Sequence, residues 1–336
     1  MKVKLGDLTK IRTGKLDANA SSEDGRYPFF TCSREPLRIA TYSYDCECIL
    51  VAGNGDLNVK YYNGKFDAYQ RTYIIEDNGS GKLYMPYLYY FMDGYIEELR
   101  KQAIGGVIKY IKRGNLTNAF IALPDIATQK EIVNILETSK SIVESRKREI
   151  QILDGLIKAR FVEMFGNEKN LMPISDICSI ITDGTHQPPK FRDTGIPFIF
   201  VSNITGDKVT YDAEKFIDQD TYDELIKRTP IEIGDVLLST VGSYGHPAVV
   251  KSNKKFLFQR HIAYLKPRRE IIDSDYLHGA ILSPDAQRQI EEGVKGIAQK
   301  TLNLSEIKKM RIPVPDMNKQ KEFATFSAQV DKSKVA

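Results

Sequence analysis

The sequence predicts a mixed α/β protein of the α+β class, made of two copies of one domain that are joined by long coiled-coil-like helices. Three observations lead to this prediction: motifs that recur in the same order in both halves, short apolar runs between Gly, Asn and Asp turns, and one long segment without proline. The 336 residues also suit two domains better than one, and 42% hydrophobic with 27% charged residues is typical of a globular chain.

The recurring motifs define the duplication. Leu5-Gly6-Asp7-Leu8 matches Ile174-Ser175-Asp176-Ile177, and Tyr27-Pro28-Phe29-Phe30 matches Ile196-Pro197-Phe198-Ile199, both at an offset of 169 residues. Tyr69-Gln70-Arg71 matches Phe258-Gln259-Arg260 at 189, and Leu123-Pro124-Asp125-Ile126 with Gln129-Lys130-Glu131 matches Val314-Pro315-Asp316-Met317 with Gln320-Lys321-Glu322 at 191. We therefore predict a first domain at 1–124, a spacer helix at 125–165, a second domain at 166–315 and the start of a second spacer helix at 316–336.

Within each copy, short apolar runs bounded by turn residues predict strands. Examples are Ile49-Leu50-Val51, Tyr73-Ile74-Ile75, Phe198-Ile199-Phe200-Val201 and Val236-Leu237-Leu238. A helix is predicted to follow the strands, from Pro86 in the first copy and from Ser283-Pro284 in the second, because Ser caps helix starts and Pro suits the first turn.

The segment from Gln129 to Phe165 is expected to form one long helix. Its apolar residues recur every seven positions, which places them on one seam that requires a helical partner: Leu136, Val143, Ile150, Ile157 and Met164. At 1.5 Å per residue the helix would span roughly 50 Å. The second copy begins the same helix at Lys319 and the sequence ends at Ala336, so pairing within one chain and pairing between two chains both stay open.

Motifs of catalysis are scarce. Gly79-Ser80-Gly81-Lys82 lacks the spacing of a phosphate-binding loop, and Gln187-Pro188-Pro189-Lys190 lacks the acidic or amide residue and the aromatic residue of an amino-methyltransferase loop. Pro284-Asp285 and Glu306-x-Lys308 have the spacing of a nuclease motif, but both look helical, whereas that chemistry needs strand ends. We predict no catalytic residue and no cofactor.

The cysteines and histidines predict no metal site either. Cys32, Cys46, Cys48 and Cys178 form no C-x-x-C pair, and the four histidines are scattered. Charge interrupts the segment from Met1 to Asp7, and no uncharged stretch of membrane-spanning length follows. We expect a cytoplasmic protein with reduced thiols and no membrane association.

The strongest signal for nucleic acid lies between Lys251 and Arg269. This stretch has seven Lys and Arg residues, no Asp or Glu, and the interleaved aromatics Phe256, Phe258 and Tyr264. A strand hairpin of this composition would present its cations to phosphates while the aromatic rings pack beneath. A basic edge strand that is merely solvated is the alternative reading.

Paired basic clusters occur at equivalent places in both copies. Arg100, Lys101, Lys109, Lys112 and Arg113 in the first correspond to Lys295, Lys300, Lys308, Lys309 and Arg311 in the second, which suggests two equivalent contacts to a nucleic-acid backbone. His186 could read a base or could belong to a turn at Asp183-Gly184. The candidate DNA contacts are Gln70, Arg71, Lys109, Lys112, Arg113, Thr185, His186, Lys190, Lys254, Lys255, Gln259, Arg260, Arg268 and Arg269.

Several of these motifs resemble those of a known family. Ile174-Ser175-Asp176-Ile177 with Asp183-Gly184-Thr185-His186, then Gly195-Ile196-Pro197-Phe198-Ile199 and Asn203-Ile204, resemble the opening of a target-recognition domain of type I restriction-modification specificity subunits. Leu304 to Ile307, Ile312-Pro313-Val314-Pro315 and Gln320-Lys321-Glu322 resemble the stretch that leads such a domain into its spacer helix. In the first copy, Leu123-Pro124 and Gln129-Lys130-Glu131-Ile132 are the same feature.

The resemblance implies a non-catalytic protein that reads a split site on double-stranded DNA with two domains at opposite ends of two antiparallel helices. Two modification subunits would dock on the helices and methylate adenine with S-adenosylmethionine, and a restriction subunit with ATPase and nuclease activity would join them. Self-association through the spacer helices stays open, because the second helix is short. The alternative is a duplicated nucleic-acid-binding or interaction protein outside restriction-modification.

Overall fold

Short strands and helices alternate along the chain, as the brief apolar runs predict. The computed structural model describes residues 2–296 and 300–334, so the ends of the predicted ranges at Met1 and at Val335-Ala336 lie outside the described residues. It divides into two units, Met1–Ser145 and Arg146–Ala336. Each unit has its own hydrophobic core.

The first unit holds β1 (Lys2–Lys4), β2 (Thr9–Thr13), β3 (Tyr27–Phe30), β4 (Leu37–Ile39), β5 (Tyr44–Ala52), β6 (Val59–Ala68), β7 (Thr72–Asp77), α1 (Met85–Gln102), α2 (Arg113–Thr117) and β8 (Phe120–Ala122). Helix α3 (Ile126–Phe165) begins in this unit and ends in the next. The main sheet has the order β2-β7-β5-β6-β3-β4, and β1 pairs with β8.

The second unit holds β9 (Leu171–Pro173), α4 (Ile174–Ile177), β10 (Cys178–Asp183), β11 (Ile196–Ile199), β12 (Lys215–Ile217), α5 (Gln219–Leu225), β13 (Val236–Ser239), β14 (Pro247–Val249), β15 (Leu257–Phe258), β16 (Ile262–Pro267), α6 (Ser274–Ile281), α7 (Pro284–Gly293), α8 (Leu304–Lys309), β17 (Arg311–Pro313) and α9 (Met317–Ser333). Its sheets have the orders β10-β16-β13-β14 and β12-β11-β15, and β17 pairs with β9.

The strand orders confirm the duplication. β2-β7-β5-β6 corresponds to β10-β16-β13-β14, and the parallel pair of β3 with β6 corresponds to the parallel pair of β11 with β15. The long strand β6 of the first unit is split into β14 and β15 in the second, with residues 250–256 between them. The fold is therefore the predicted α+β class with two repeated domains.

The register of the strands corrects one detail of the sequence match. Phe30 lies opposite Ala68, and Ile199 lies opposite Phe258, so Ala68 and Phe258 are equivalent at an offset of 190. The motif match had used 189. Consequently Gln70 is equivalent to Arg260 rather than to Gln259, and Arg71 is equivalent to His261.

Most of the additional residues of the second unit lie between β11 and β13. The offset is 169 at the pair Phe30 and Ile199, and it reaches 187 at the pair Ala52 and Ser239, which lie opposite equivalent residues of β7 and β16. The insertion comprises a longer loop at 200–214 and helix α5 with the turn after it. The loop has a shorter counterpart at residues 31–36, between β3 and β4, whereas helix α5 has none in the first unit.

The predicted helix starts are close to those in the structure. α1 begins at Met85, one residue before Pro86, and Ser283 caps α7 by accepting a hydrogen bond at its Oγ from the Ala286 amide (3.3 Å). Helix α6, which the sequence analysis missed, is capped by Asp273.

A buried glutamine anchors the start of the first spacer helix. Gln129 is fully buried, and its Oε1 accepts a hydrogen bond from the Tyr84 amide at 2.8 Å. Its Nε2 donates to the carbonyls of Lys82 (2.8 Å) and Pro124 (2.9 Å). One side chain therefore satisfies three backbone groups, and it ties α3 to the residues that precede α1.

Gln320 repeats this arrangement in the second unit. It is also fully buried, and its Oε1 accepts from the Asp273 amide (2.9 Å), while its Nε2 donates to the carbonyls of Ile271 (3.0 Å) and Pro315 (2.8 Å). The same residue type thus makes equivalent bonds at the start of both spacer helices, which gives the recurring Gln-Lys-Glu motif a structural reason.

An aromatic cluster joins the end of α3 to the second unit. Phe161 and Phe165 pack against Tyr276 and Phe323 with ring centroids 5.1–5.9 Å apart. A Cβ at Gly279 would lie 2.3 Å from Cε1 of Phe323, so only glycine allows this approach. The cluster fixes α9 beside α3 and α6.

Helix α9 runs antiparallel to the last turns of α3. Arg160 pairs with Glu322 at 3.4 Å, and Asp154 pairs with Lys334 at 2.6 Å. Later residues of α9 therefore contact earlier residues of α3. Two antiparallel spacer helices, which the resemblance implied, are therefore present in this unit.

We predict that Gln129→Ala and Gln320→Ala each destabilise their own unit by roughly 2–4 kcal/mol, because three buried backbone groups lose their partner. Hydrogen exchange of the intact chain checks this, with faster exchange expected near residues 82–84 for the first variant and near 271–273 for the second. Gln151→Ala, at an exposed position of α3, is the control and should change neither region. Equal exchange in all variants would contradict the anchoring role.

Candidate nucleic-acid interface

A glycine lets a loop lie close against the sheet edge in the second unit. The Gly184 amide donates to the Ile262 carbonyl (3.1 Å), and the next amide, of Thr185, donates to the Phe258 carbonyl (3.0 Å). A Cβ at Gly184 would lie 2.3 Å from that Phe258 oxygen. The Arg260 amide completes the contact by donating to the Thr185 carbonyl (3.1 Å). We call residues 183–190 and 259–261 the second-unit rim.

The first unit builds the same feature from equivalent residues. The Gly14 amide donates to the Thr72 carbonyl (3.0 Å), and the Gln70 amide donates to the Leu16 carbonyl (2.9 Å). A Cβ at Gly14 would lie 2.1 Å from the Ala68 carbonyl oxygen. We call residues 14–17, 53–55 and 69–71 the first-unit rim. Both rims are fixed by backbone bonds, so their side chains can vary without loss of the frame.

Asp183 holds two cationic or ionisable groups on the second-unit rim. Its Oδ2 lies 2.8 Å from Nε2 of His186, and its Oδ1 accepts a hydrogen bond from Arg228. Asp183 is largely buried, whereas His186 and Arg228 are half exposed. The carboxylate therefore orients His186 so that Nδ1 of the imidazole faces away from it. The geometry is compatible with both interpretations of His186, as a turn residue and as a base-reading residue. The side chain bonds within the turn and still has one ring nitrogen that does not face Asp183.

Two shallow cavities meet at His186. One, of about 520 Å³, is lined by residues 184–190, including Thr185 and Lys190, and by the segment from Thr221 to Thr229. The other, of about 500 Å³, is lined by Asp183, Arg260, His261 and the loop 301–304. The rim is thus concave on both sides of one ring, with polar groups converging on it.

The neighbouring pair Arg260 and His261 is internally hydrogen-bonded. Nε of Arg260 lies 3.3 Å from Nε2 of His261, which accepts the hydrogen bond when it is neutral. Burial lowers the pKa of His261, and the Arg260 charge lowers it further. A neutral His261 therefore fixes the guanidinium of Arg260 in the second cavity. The side chain of Gln259 is only partly exposed.

The hairpin predicted for residues 251–269 is not present. β15 pairs with β11, whereas β16 pairs with β10 and β13, so the two strands belong to different sheets. The prediction failed because strands that are neighbours in sequence are not neighbours in this fold. In the first unit, too, β5 lies between the equivalent strands β6 and β7. The aromatic part of the prediction holds, since Phe256, Phe258 and Tyr264 are buried.

The cations of this segment also differ in their surroundings. Nζ of Lys254 lies 5.3 Å from the Tyr211 ring centre, and Nζ of Lys255 lies 5.4 Å from that of Tyr222. Lys255 also donates to Oε1 of Gln219 (3.1 Å). These two residues contact rings and an amide, so their charges are available to an anion.

Arg269 instead belongs to the structure of the unit. It donates to the Ile233 carbonyl, and its guanidinium lies 3.8 Å from Asp235 and 3.9 Å from Glu232. Burial raises the pKa of Asp235, although Tyr264 donates to it at 2.7 Å. Arg268 is exposed, and in the described part of the chain its side chain has no carboxylate within 4.0 Å.

The candidate cations of the first unit gather beside the turn at 53–55. The Gly53 amide donates to the Arg71 carbonyl (2.8 Å), and the Gly55 amide donates to the Lys109 carbonyl (3.0 Å). Lys112 and Arg113 begin α2 directly after this contact. Gln70 is already engaged, because its Nε2 donates to Asp17 (2.6 Å). These bonds bring the backbone at Arg71, Lys109 and Lys112 close to the turn at 53–55.

The heptad seam divides into two parts. Ile157 and Met164 pack against the core of the second unit. Leu136, Val143 and Ile150 are exposed by 39%, 53% and 38%. The coiled-coil pairing of the part of the seam from Leu136 to Ile150 stays a prediction.

Helix α5 and Arg228 were missed by the sequence analysis. They belong to the insertion between β11 and β13, and no motif marks them. The one available signal was the difference of about 20 residues between the copies. An insertion into one copy of a repeated domain often contains the residues that make its function differ from that of the other copy. Among the described residues, no cluster of three or more His, Cys, Asp or Glu residues could hold a metal ion.

The repeated domain with a helix after each copy defines a class of protein by its fold. The structure is similar to the crystal structure of the type I restriction-modification system S subunit from M. genitalium, with a TM-score of 0.61, 15% sequence identity, and coverage of 99% of this chain and 90% of that chain. The fold is thus that of restriction-modification specificity subunits.

The family follows from the sequence itself. The model of the family described as "Type I restriction modification DNA specificity domain" matches residues 1–153 and again residues 167–336. The chain therefore belongs to this family and contains its domain twice. The alternative of a duplicated protein outside restriction-modification is not favoured.

Two curated relatives come from Escherichia coli. The chain is 40% identical over 156 residues to the type I restriction enzyme EcoDI specificity subunit, which covers 46% of this chain and 34% of that protein. It is 23% identical over 310 residues to the EcoBI specificity subunit, which covers 82% of this chain and 65% of that protein. The chain thus spans about a third of the length of the first relative and just under two thirds of the second.

We predict that Lys254→Ala and Lys255→Ala each weaken binding to all DNA sequences alike and lower the slope of log K against log salt by about 1, because each removes one phosphate contact. Lys158→Ala, at an exposed position on α3, is the control and should leave the slope unchanged. Arg269→Ala should instead destabilise the second unit. A Lys254 or Lys255 variant that relaxes preference at one base pair would identify a base contact and contradict the phosphate role. Titrations of the complete complex at several salt concentrations measure the slope.

Proposed function

We propose that the chain is the sequence-specificity subunit of a type I restriction-modification complex, that it has no catalytic activity of its own, and that it reads a bipartite site on double-stranded DNA. The observation that supports this most directly is the duplication of a DNA specificity domain. Two domains with two rims suit two half-sites. The catalytic steps would belong to partner subunits, which fits a sequence without methyltransferase or nuclease motifs.

The two domains are proposed to read different half-sites. Backbone bonds that form the rims are equivalent, but the side chains on them are not: His186 and Arg260 occupy the second rim, where Asp17 and Gln70 are the counterparts in the first. Helix α5 and Arg228 exist only in the second. Bases are chosen by side chains that reach the groove, so different rims imply different sequences.

The proposed partners are two modification subunits, which dock on the spacer helices, and one restriction subunit that joins this core. Exposed apolar residues on the seam of α3 support docking at Leu136, Val143 and Ile150, since exposed apolar rows of this length often bury against another chain. Association of two copies of the chain through the same seam is part of this proposal. In the described part of the chain, no helix is both long and apolar enough to cross a membrane, and we propose a cytoplasmic location, where the DNA is.

Replacing residues 166–315 by the equivalent domain of another specificity subunit should change one half of the methylated site and leave the other half intact. The physical reason is that each rim is held by backbone bonds within its own unit. Genome-wide mapping of methylated adenines, with the modification subunit present, measures both halves. The reciprocal exchange of residues 1–124 is the control and should change the other half. If both halves changed together, or if the chain methylated DNA without partners, the proposal would be wrong.

Substituting the exposed seam should separate the chain from its partners. We expect the triple variant Leu136→Glu, Val143→Glu and Ile150→Glu to lose association, because three charges would enter an apolar contact. Ile135→Glu, Ile142→Glu and Ile152→Glu, which are apolar and more exposed but lie off the seam, form the control. Size-exclusion chromatography with light scattering reports the assembly with modification subunits and with a second copy. Dissociation by the control set alone would move the contact to another face of α3.

A further inference from the structure

An exposed apolar loop tip stands among the cations of the first unit. Val107 is fully exposed, at 104% of its reference area, and Ile108 is 62% exposed. They lie between Ile104 and Tyr110, and we call residues 104–110 the tip loop. Two adjacent β-branched side chains in water are unfavourable unless a partner covers them.

The base of the tip loop is firmly held. Ile104 and Tyr110 exchange two backbone hydrogen bonds, at 3.0 and 2.9 Å, and the Gly55 amide donates to the Lys109 carbonyl at 3.0 Å. The Ile111 amide continues the contact by donating to the Gly53 carbonyl (2.9 Å). The tip therefore projects from an anchored base rather than from a free strand of chain.

A glycine allows the sharp turn that directs the side chains of Val107 and Ile108 outward. Gly105 has φ +117°, and a Cβ there would lie 2.6 Å from the Ile108 carbonyl oxygen. Any other residue would be strained at this position. The loop is built to keep Val107 and Ile108 away from the core of the unit.

The charge around the tip indicates what covers it. From Leu99 to Pro124 the sequence has five Lys and Arg residues and no Asp or Glu. Arg100 pairs with Asp56 and Glu97, and Lys101 pairs with Glu98. In the described residues, the other three cations, Lys109, Lys112 and Arg113, have no ion pair. An apolar partner protein would leave these cations unmatched. A nucleic acid offers phosphates outside and apolar base faces inside, so it matches both features.

We propose that Val107 and Ile108 form a wedge that enters the minor groove and opens one base step, while Lys109, Lys112 and Arg113 contact the flanking phosphates. This inference rests on the proposed function and adds DNA distortion to it. Apolar side chains that insert between base pairs unstack them and kink the duplex. Since pyrimidine–purine steps unstack most easily, the wedge would favour such a step near the half-site read by the first unit, without hydrogen bonds to its bases.

The test uses the complex of the full chain with its modification subunit and a duplex that contains the mapped methylation site. 2-Aminopurine is placed at successive positions beside the first half-site, and fluorophores at the two duplex ends report bending by energy transfer. We expect one position with raised 2-aminopurine emission and a shortened end-to-end distance. The variant Val107→Ser with Ile108→Ser should lose both signals and bind about 10-fold more weakly, whereas Ile108→Phe should keep them.

Two controls separate the wedge from charge and from folding. Lys109→Ala should weaken binding to all sequences and lower the salt slope by about 1, with the distortion retained. Phe120→Ser removes another exposed apolar residue of the same unit, 55% exposed, and should change no signal.

Each other outcome has a distinct meaning. Unchanged emission and bending in the double variant would overturn the wedge and leave the proposed function standing. Loss of the modification subunit from the double variant would overturn it as well, because the tip would then be a protein-docking site. A parent complex that binds no duplex at all would refute the proposed function and the wedge together.

Discussion

A buried glutamine at the start of each spacer helix is the constraint on which the rest of the architecture depends. Gln129 and Gln320 each satisfy three backbone groups from two separate segments. A buried amide cannot lose these bonds cheaply, because its partners would remain unpaired away from water. Each glutamine thus ties the first turn of its helix to the domain, and the duplication preserves the glutamine and the positions of its three backbone partners.

In the two rims, the backbone is held by hydrogen bonds and most side chains are not. Gly14 and Gly184 allow one loop to lie against the sheet edge, and the hydrogen bonds that hold it come from main-chain atoms. The rim side chains take no part in these bonds, so we expect substitutions there to cost the fold little. Asp183 with Arg228 is the exception, because it uses a side chain from the insertion to orient His186.

Structural features that depend on residues close together in the sequence could be predicted. Features that depend on which strands pair with each other could not. The long helix, the Ser283 cap and the repeated order follow from local periodicity and turn residues. The hairpin at 251–269 was wrong because strand partners lie far away in sequence, and a basic run gives no information on which sheet its flanks join. The one-residue error at Gln70 has the same origin: a short motif can match by type while hydrogen-bond register sets the true equivalence. Arg228 has no local signature at all, since its partner Asp183 is 45 residues away.

The strand pairing also shows how the two copies can differ in surface charge while they keep the same order of strands. In the first unit β6 runs unbroken through the main sheet, and it pairs with β5 from Val59 to Phe66 and with β3 at Asp67 and Ala68. In the second unit the break at residues 250–256 places Lys254 and Lys255 on a connecting segment, while Phe256 and Phe258 keep the core closed. The interruption thus places these two cations outside the strand ladder, on the surface of the unit. The parallel pair that follows keeps its register, so the backbone contact at Gly184 is the same as the one at Gly14. The second unit thus carries additional cationic surface while the backbone of its rim is unchanged.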